Sequence, residues 1–305
     1  MRNKSYMMAN TNLYTQSTSS GLKLLQYNVD QAVREEAFEK TKWVNRSCRV
    51  KALIKEVDAD IVCLQEFRLL PGVDEMPEQF LASFRYRFVI DYRNASPMAF
   101  GQAILYDPKK FYALKTVKKW LSATPDVISD ICGHGSIVSG VQFCRVHDGK
   151  VISDAAPFWV FNTHFGLQEE LKTQSCHVIL KIVEELVPED QCALICGDFN
   201  FFPDRDGNKQ REILTAKWTD FGNAVTLSGK PLEGTFVGYE HDEFKADLNN
   251  MVSRLDHVFG CGHIGTFTLA KNPVLYTKTM LEVEPEELTT RDYPSDHLPL
   301  VVEFN

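Results

Sequence analysis

Cys192-Ala193-Leu194-Ile195-Cys196-Gly197-Asp198-Phe199-Asn200 is a short apolar run that ends at a glycine and then delivers a carboxylate and a carboxamide. Its length suits a buried strand. Strand alternation predicts Asp198 and Asn200 on one face and Phe199 on the other. In α/β sheets, ligands bind beyond the carboxyl ends of the strands, so this pair marks where chemistry is expected. Taken alone, Gly-Asp-x-Asn also fits a simple turn. Other strand ends of the same kind give it weight.

Upstream of that run, Leu22 to Val29 reads as a strand that ends in the carboxamide of Asn28. Residues from about 36 to 57 read as a helix, with Val50, Leu53, Ile54 and Val57 at helical spacing and Lys51, Lys55 and Glu56 outside. Ile61 to Leu64 is the next buried strand and ends in Gln65-Glu66. Strand, helix and strand make a βαβ unit, which favours parallel neighbours and sets Glu66 beside Asn28. The pattern returns further on. Pro157 to Thr163 is apolar and ends at His164, an amphipathic helix covers roughly 168–187 until Pro188 stops it, and the 192–196 strand follows. Between these halves, 87–90, 102–106, 111–121 and 136–146 read as successive strands, which suits antiparallel pairing. Pro71 to Pro77 reads as a loop, and Gln210 to Ala216 as a short amphipathic piece. Arg254-Leu255-Asp256 and Ser295-Asp296-His297 add polar residues near the carboxyl end, before a final strand over 298–304. Two such halves imply an α/β protein with two mixed sheets packed face to face and helices outside. The polar stretch 1–20 reads as a disordered leader, and 21–305 as one domain, since no linker divides it.

Composition narrows the function classes. The chain has 305 residues, 44% hydrophobic, with a net charge of −8. That acidic balance argues against a protein living on bulk duplex phosphate contacts. Eight cysteines are scattered, several inside apolar runs, which fits reduced thiols and a cytoplasmic protein. No window has the length of a membrane span, and the first residues lack the apolar core of a signal peptide. Export without a cleavable signal stays open. A monomer is the default expectation.

The polar strand ends collect into Asn28, Glu66, His164, Asp198, Asn200, Asp256, Asp296 and His297. Carboxylates and carboxamides are hard oxygen donors, suited to Mg²⁺ or Mn²⁺. The chain has no HExxH, Gly-x-Ser-x-Gly or GxxxxGK[ST], which argues against a zinc protease, a serine hydrolase and a P-loop NTPase. Two histidines with an aspartate to spare fit a base and its orienter. A metal, a His–Asp pair and carboxamide donors together suit in-line water attack on a phosphate ester.

The ordered set Gln26-Tyr27-Asn28, Leu64-Gln65-Glu66, Asn162-Thr163-His164, Gly197-Asp198-Phe199-Asn200, Arg254-Leu255-Asp256 and Ser295-Asp296-His297 resembles the endonuclease/exonuclease/phosphatase superfamily, of deoxyribonuclease-I-like fold. The resemblance spans residues 22–304. It implies a four-layered α/β/β/α sandwich with the active site along one rim of the sheets. It implies Glu66 as the principal metal ligand with Asn28 close by, and Asp296 supporting the metal side. Asp198 would orient or deprotonate the attacking water, while Asn200 and His164 bind the phosphate. His297 would be the second phosphate-facing histidine, oriented by Asp256. Substrates in the superfamily range over DNA, RNA tails, sphingomyelin, inositol phosphates and tyrosyl-DNA adducts, so membership fixes the reaction better than the substrate. The stretches around Gly197 and Asp256 depart from the inositol polyphosphate 5-phosphatase motifs. Trp43-x-x-Arg46 and Gly234-Thr235-Phe236 are similar to bacterial phosphohydrolase members.

The expectation is a Mg²⁺- or Mn²⁺-dependent phosphoesterase acting on a small phosphorylated molecule, a phosphoinositide or lipid headgroup, or a nucleic-acid end. A nuclease proper is the rival enzyme, and a catalytically silent scaffold on the same fold is the rival of another class. His257, next to Asp256, is expected to face the opposite way and be structural. The Lys115–Lys119 run reads as a solvated strand face. Phe201-Phe202 fits either core packing or an apolar wall of the site. Tyr92 and Arg93 are further candidates for substrate contact.

Overall fold

The protein is described by a computed structural model covering residues 21–31, 39–68, 76–94, 96, 100–128, 135–152, 155–202, 206–222, 225–226, 234–238, 253–262, 268–276 and 290–305. The polar leader 1–20, the first residues of the expected 36–57 helix and most of the 71–77 loop lie outside these. In chain order the elements are β1 (Leu22–Asn28), α1 (Trp43–Val57), β2 (Ile61–Arg68), α2 (Pro77–Ala82), β3 (Arg87–Tyr92), β4 (Phe100–Tyr106), β5 (Phe111–Trp120), β6 (Ile137–His147) and β7 (Lys150–Val151). Then come β8 (Phe158–His164), α3 (Glu169–Leu186), β9 (Cys192–Asp198), α4 (Gly207–Thr215), β10 (Thr219–Asp220), β11 (Val225–Thr226), β12 (Asp256–Gly262), β13 (Val274–Leu275) and β14 (Leu300–Phe304).

One sheet runs β11-β13-β14-β1-β2-β4-β3, and the other runs β10-β12-β9-β8-β6-β5 with β7 beside β6. Both are mixed: β1 and β2 are parallel, as are β8 and β9, while most other pairs are antiparallel. Period-two alternation explains the layering. In β1, Leu22 and Leu24 face the other sheet, while Leu25 and Tyr27 face α1. In β9, Cys192, Leu194 and Cys196 face inward, while Ala193 and Ile195 meet α3. Helix α1 buries Val50, Leu53, Ile54 and Val57 on the first sheet, and α3 buries Cys176, Ile179, Ile182 and Val183 on the second. Both stripes follow helical spacing. The result is the α/β/β/α sandwich the sequence implied.

Three local expectations need correcting. Helix α1 starts at Trp43, after a short 3-10 turn over Glu39–Thr41, and not near residue 36. Pro77, read as the last residue of a loop, instead opens α2 (Pro77–Ala82), for which proline at the first turn is a good start. Strands β2 and β9 run on past their apolar runs, through Glu66 and Asp198. The polar residues therefore sit in the last strand positions, where the sheet fixes them.

Register gathers the polar residues on one rim. Asn28 pairs with Gln65 across β1 and β2. His164 pairs with Asp198 across β8 and β9, and Asp198 with Asp256 across β9 and β12. Gly197 makes the β8–β9 contact possible, because a Cβ there would stand 2.2 Å from the Thr163 carbonyl oxygen.

Candidate active site

Glu66 reaches the rim through a break in the β2–β4 ladder. The register shifts between Gln65 and Phe67, and Glu66 takes a left-handed backbone with φ 67°. Such a bulge bends the strand and re-aims one side chain. Behind it lies a buried layer of carboxamides between the sheets. Asn162 donates to the carbonyls of Leu64 (2.9 Å) and Ala103 (2.8 Å) and accepts from Gln65 Nε2 (2.6 Å). Gln65 also exchanges hydrogen bonds with Gln26, whose Nε2 donates to Asp256 Oδ1 at 3.1 Å. Gln102 ties the layer to Ser139 at 3.1 Å. None of these carboxamides was assigned a role from the sequence. Their signal is there nonetheless: polar residues at inward positions inside apolar strands.

In front of this layer, Asp198 is the hub. Its Oδ1 accepts from the Asn200 amide (2.9 Å) and its Oδ2 accepts from Asn28 Nδ2 (3.0 Å). Nε2 of His164 and Nε2 of His297 face the same Oδ2 at 3.7 and 3.6 Å. Asn28 Nδ2 also donates to Glu66 Oε1 at 2.9 Å, while its Oδ1 accepts from the Asp30 amide. The side chain thus braces the two carboxylates with its nitrogen and turns away the oxygen that a metal would need. His297 Nδ1 lies 2.8 Å from Asp256 Oδ2, which also accepts from Thr235 Oγ1 at 2.6 Å. Thr235 belongs to the Gly-Thr-Phe motif, so that motif holds the His–Asp pair. Asp296 Oδ1 is 4.0 Å from His297 Nε2.

Asn200 departs from the alternation argument. It has left the strand, with φ 53°, and its Nδ2 donates to the Phe165 carbonyl at 2.8 Å. Its carbonyl accepts from the fully buried Lys172 ammonium at 2.6 Å. Asn200 lines the cavity beside Asp198, but its carboxamide is engaged with the backbone. His257 faces the other way, stacked on Phe259 at 5.2 Å with Nδ1 3.3 Å from Asp220. Phe201 and Phe202 divide the two alternatives: Phe201 is core, and Phe202 lines the cavity. The Lys115–Lys119 run is only partly a solvated face, since Lys118 lies over Trp120 and Lys119 pairs with Asp126. Tyr92 leaves the site for Glu78, whereas Arg93 lines the cavity. The Trp43-x-x-Arg46 pair is a lock behind the rim: Arg46 donates to the carbonyls of Val29 (2.6 Å) and Pro294 (2.9 Å).

Burial and neighbouring charge set the protonation states. Burial pushes Asp198 up to about 7, with Asp256 and Glu66 adding to the push against the pull of His297 and Asn28. Glu66 is raised by burial and by Asp296. Burial, then the charges of Arg93, His297 and Arg68, hold His164 well below its ordinary value, so it is neutral. Burial opposes the charge on His297, but Asp256, Asp198 and Asp296 outweigh it and keep the ring protonated near neutrality. Asp256 is lowered despite its burial, chiefly by His297.

Ligand atoms of Glu66, His164 and Asp198 all lie within 4.8 Å of one another. The partly buried Glu66 and the buried Asp198, each raised by burial and by a neighbouring acid, form a group that could hold a cation. Oxygen donors with one imidazole fit Mg²⁺ or Mn²⁺. Beside these residues opens a cavity of about 680 Å³.

The sequence model of the Endonuclease/Exonuclease/phosphatase family matches residues 25–297. The chain belongs to this family. Phosphatases, nucleases and phosphodiesterases make up the family, and its chemistry is typically hydrolytic. A sequence relative, uncharacterized protein L388 of Acanthamoeba polyphaga mimivirus, is 28% identical over 93% of this chain and its own full length. Among solved structures, the mannosyl-6-phosphatase Bt3783 of Bacteroides thetaiotaomicron VPI-5482 is 22% identical, with a TM-score of 0.71 over 93% of this chain and 99% of that one. TDP2 of D. rerio, solved with a single-strand DNA product, is 18% identical, with a TM-score of 0.61 over 94% of this chain and 99% of that one. The human Nocturnin catalytic domain, solved with sulfate, is 17% identical, with a TM-score of 0.63 over 93% of both chains. At these identities the structural likeness speaks for the fold of the family.

Proposed function

We propose that this family member is a divalent-metal-dependent phosphoesterase that hydrolyses a phosphate ester by in-line attack of water. The observation that supports it most is the convergence on Asp198 Oδ2, where Asn28, His164 and His297 all face one carboxylate oxygen beside Glu66. Glu66 would be the principal holder of Mg²⁺ or Mn²⁺, which would supply charge neutralisation at the phosphate and acidify water. Asp198 orients the attacking water and takes its proton as the new P–O bond forms and the ester bond breaks. His297, protonated and fixed by Asp256, donates to a phosphoryl oxygen. His164, neutral, donates a second hydrogen bond from Nε2. Asp296 adds negative charge on the metal side, and Asn200, placed beside the phosphate, keeps the Asp198 turn in shape. The cavity of about 680 Å³ and the acidic chain favour a small phosphorylated molecule or a headgroup over duplex nucleic acid.

The test is phosphate or nucleotide release from a panel of sugar phosphates, phosphoinositides, sphingomyelin, RNA and DNA, with Mg²⁺, Mn²⁺ or EDTA. Turnover of one class that disappears with EDTA and in Asp198→Asn supports the reading. Metal binding without turnover on any class of phosphate ester counts against it, and absence of both favours a silent scaffold.

A further inference from the structure

Four arginines of this fold rest on an acid. Arg46 lies 3.7 Å from Asp30, Arg254 and Arg211 hold Asp220 at 2.7 and 2.8 Å, and Arg85 pairs with Asp58 and Asp107. Arg68 and Arg93 are different. Neither makes an ion pair at contact distance among the described residues, although the charge of Glu66 acts on both and that of Asp198 on Arg93. The Nε of Arg68 is buried without any acceptor, and Arg93 spends one N–H on the His164 carbonyl at 2.8 Å. Both guanidinium groups lie over the ring of Phe100, at 4.2 and 5.1 Å, and all three residues line the cavity. Phe100 in turn meets His164 edge-on at 5.4 Å. The carboxylates of Glu66 and Asp198 offset part of this charge from a distance, and an anion in contact would take up the donors that remain.

Sheet order sets Phe100 and Arg93 on the far side of the rim from His297, with Arg68 reaching toward them from the end of β2. Along β14-β1-β2-β4-β3, the residues Asp296 and His297 precede β14, Asn28 ends β1, Phe100 opens β4 and Arg93 follows β3. Strands are spaced by about 4.8 Å, so the backbone carrying Phe100 is roughly 10 Å from that carrying Asn28. An anion on the Arg93 side of Phe100 is therefore a different group from one held at His297, and Phe100, edge-on to His164, stands between the two positions. Guanidinium groups match phosphate with paired N–H donors.

We propose that Arg68 and Arg93, set around Phe100, form a subsite for a second phosphate, so that the substrate is a small molecule bearing two phosphate groups. The identity of the cleaved phosphate rests on the phosphoesterase reading above. The subsite rests on the cavity and its unpartnered donors. A sugar bisphosphate, a nucleoside bisphosphate and a phosphoinositide headgroup share the required chemistry.

Matched pairs test it: a monophosphate and a bisphosphate of the same hexose, nucleoside and inositol, each assayed with Mg²⁺. Wild-type kcat/KM is expected to favour the bisphosphate about 10- to 100-fold in one ring class, the range of a charge-assisted contact. Arg68→Met is expected to lower kcat/KM for the bisphosphate about 10-fold or more beyond any loss on the monophosphate, so that the preference collapses, while Arg68→Lys keeps part of it. Equal wild-type rates on both members of every pair overturn the proposal. So does an equal loss on both in Arg68→Met with an unchanged melting temperature, or an oligonucleotide outpacing every small bisphosphate. Calorimetric binding of the same pairs to His297→Ala separates the two claims and decides the matter if Arg68→Met does not fold. Tighter bisphosphate binding without wild-type turnover keeps the subsite and sinks the hydrolysis reading. Turnover with equal binding of mono- and bisphosphate does the reverse.

Discussion

Asn162→Leu tests whether the carboxamide layer holds the site. Asn162 is fully buried and makes three hydrogen bonds, to the Leu64 and Ala103 carbonyls and from Gln65 Nε2. Leucine has nearly the same volume, so the loss is of partners more than of packing. Two backbone carbonyls lose their cross-sheet donor at the bulge, and Gln65 keeps only its bond to Gln26. Each buried orphan costs about 1–3 kcal/mol, and carbonyls stand at the low end because they have a second lone pair. The sum is about 3–5 kcal/mol, a large share of the roughly 5–15 kcal/mol of a folded domain. Urea denaturation followed by tryptophan fluorescence reads it directly, as a lower midpoint at an unchanged slope. Turnover should fall more than stability alone explains, because Glu66 sits at the bulge that Asn162 pins. A displacement of about 1 Å there is worth roughly 10²-fold in rate. A loss below about 1 kcal/mol with full activity would refute the argument that this layer positions Glu66.

Two further substitutions probe charge. Asp256→Asn removes the carboxylate that keeps His297 protonated, so the ring titrates nearer its ordinary value of about 6.5. Activity should drop by about 10²- to 10⁴-fold, and the deficit should widen between pH 6 and 8 as the ring loses its proton. A deficit independent of pH would argue against a charged His297. Asp220, behind the site, is depressed far below the usual carboxylate range: burial opposes this, but His257, Arg254 and the Gly222 amide prevail. Burial keeps His257 itself low, so near neutrality its Nδ1–H is a neutral donor and Arg254 carries the opposing charge. A depressed folded-state pKa gives stability that is present above about pH 4 and lost as the pH falls further. Asp220→Asn should therefore cost about 3 kcal/mol at pH 7, with the gap from wild type narrowing below pH 4. A constant gap down to pH 3 in urea midpoints would count against this assignment.

The α/β layering was legible because apolar alternation and helical spacing are both local signals. Asn28, Glu66, His164 and Asp198 stood out because each ends an apolar run, and β1–β2 and β8–β9 then align them by simple parallel pairing. Backbone geometry was not legible. Nothing in Leu64-Gln65-Glu66-Phe67 announces a bulge, and nothing in Gly-Asp-x-Asn announces that Asn200 turns left-handed and leaves its strand. Gln26, Gln65 and Asn162 stood inside the quoted motifs without a role, since a polar side chain in an apolar strand finds its partners only once strands pair and the two sheets meet. Arg68 follows Glu66 by two residues, yet its meaning depends on Phe100, which arrives from β4.

The most direct measurement is a metal add-back on EDTA-treated protein, with phosphate release followed for wild type and Glu66→Gln side by side. Glu66 is common to the proposed metal group and to the Asn28 brace, so its charge is the point at which the account is most exposed. The account predicts no release before metal, full recovery with Mg²⁺ or Mn²⁺ in wild type, and at least a 10²-fold deficit in Glu66→Gln at saturating metal. Equal activity with EDTA, or a Glu66→Gln protein that recovers fully at low Mg²⁺, would contradict it.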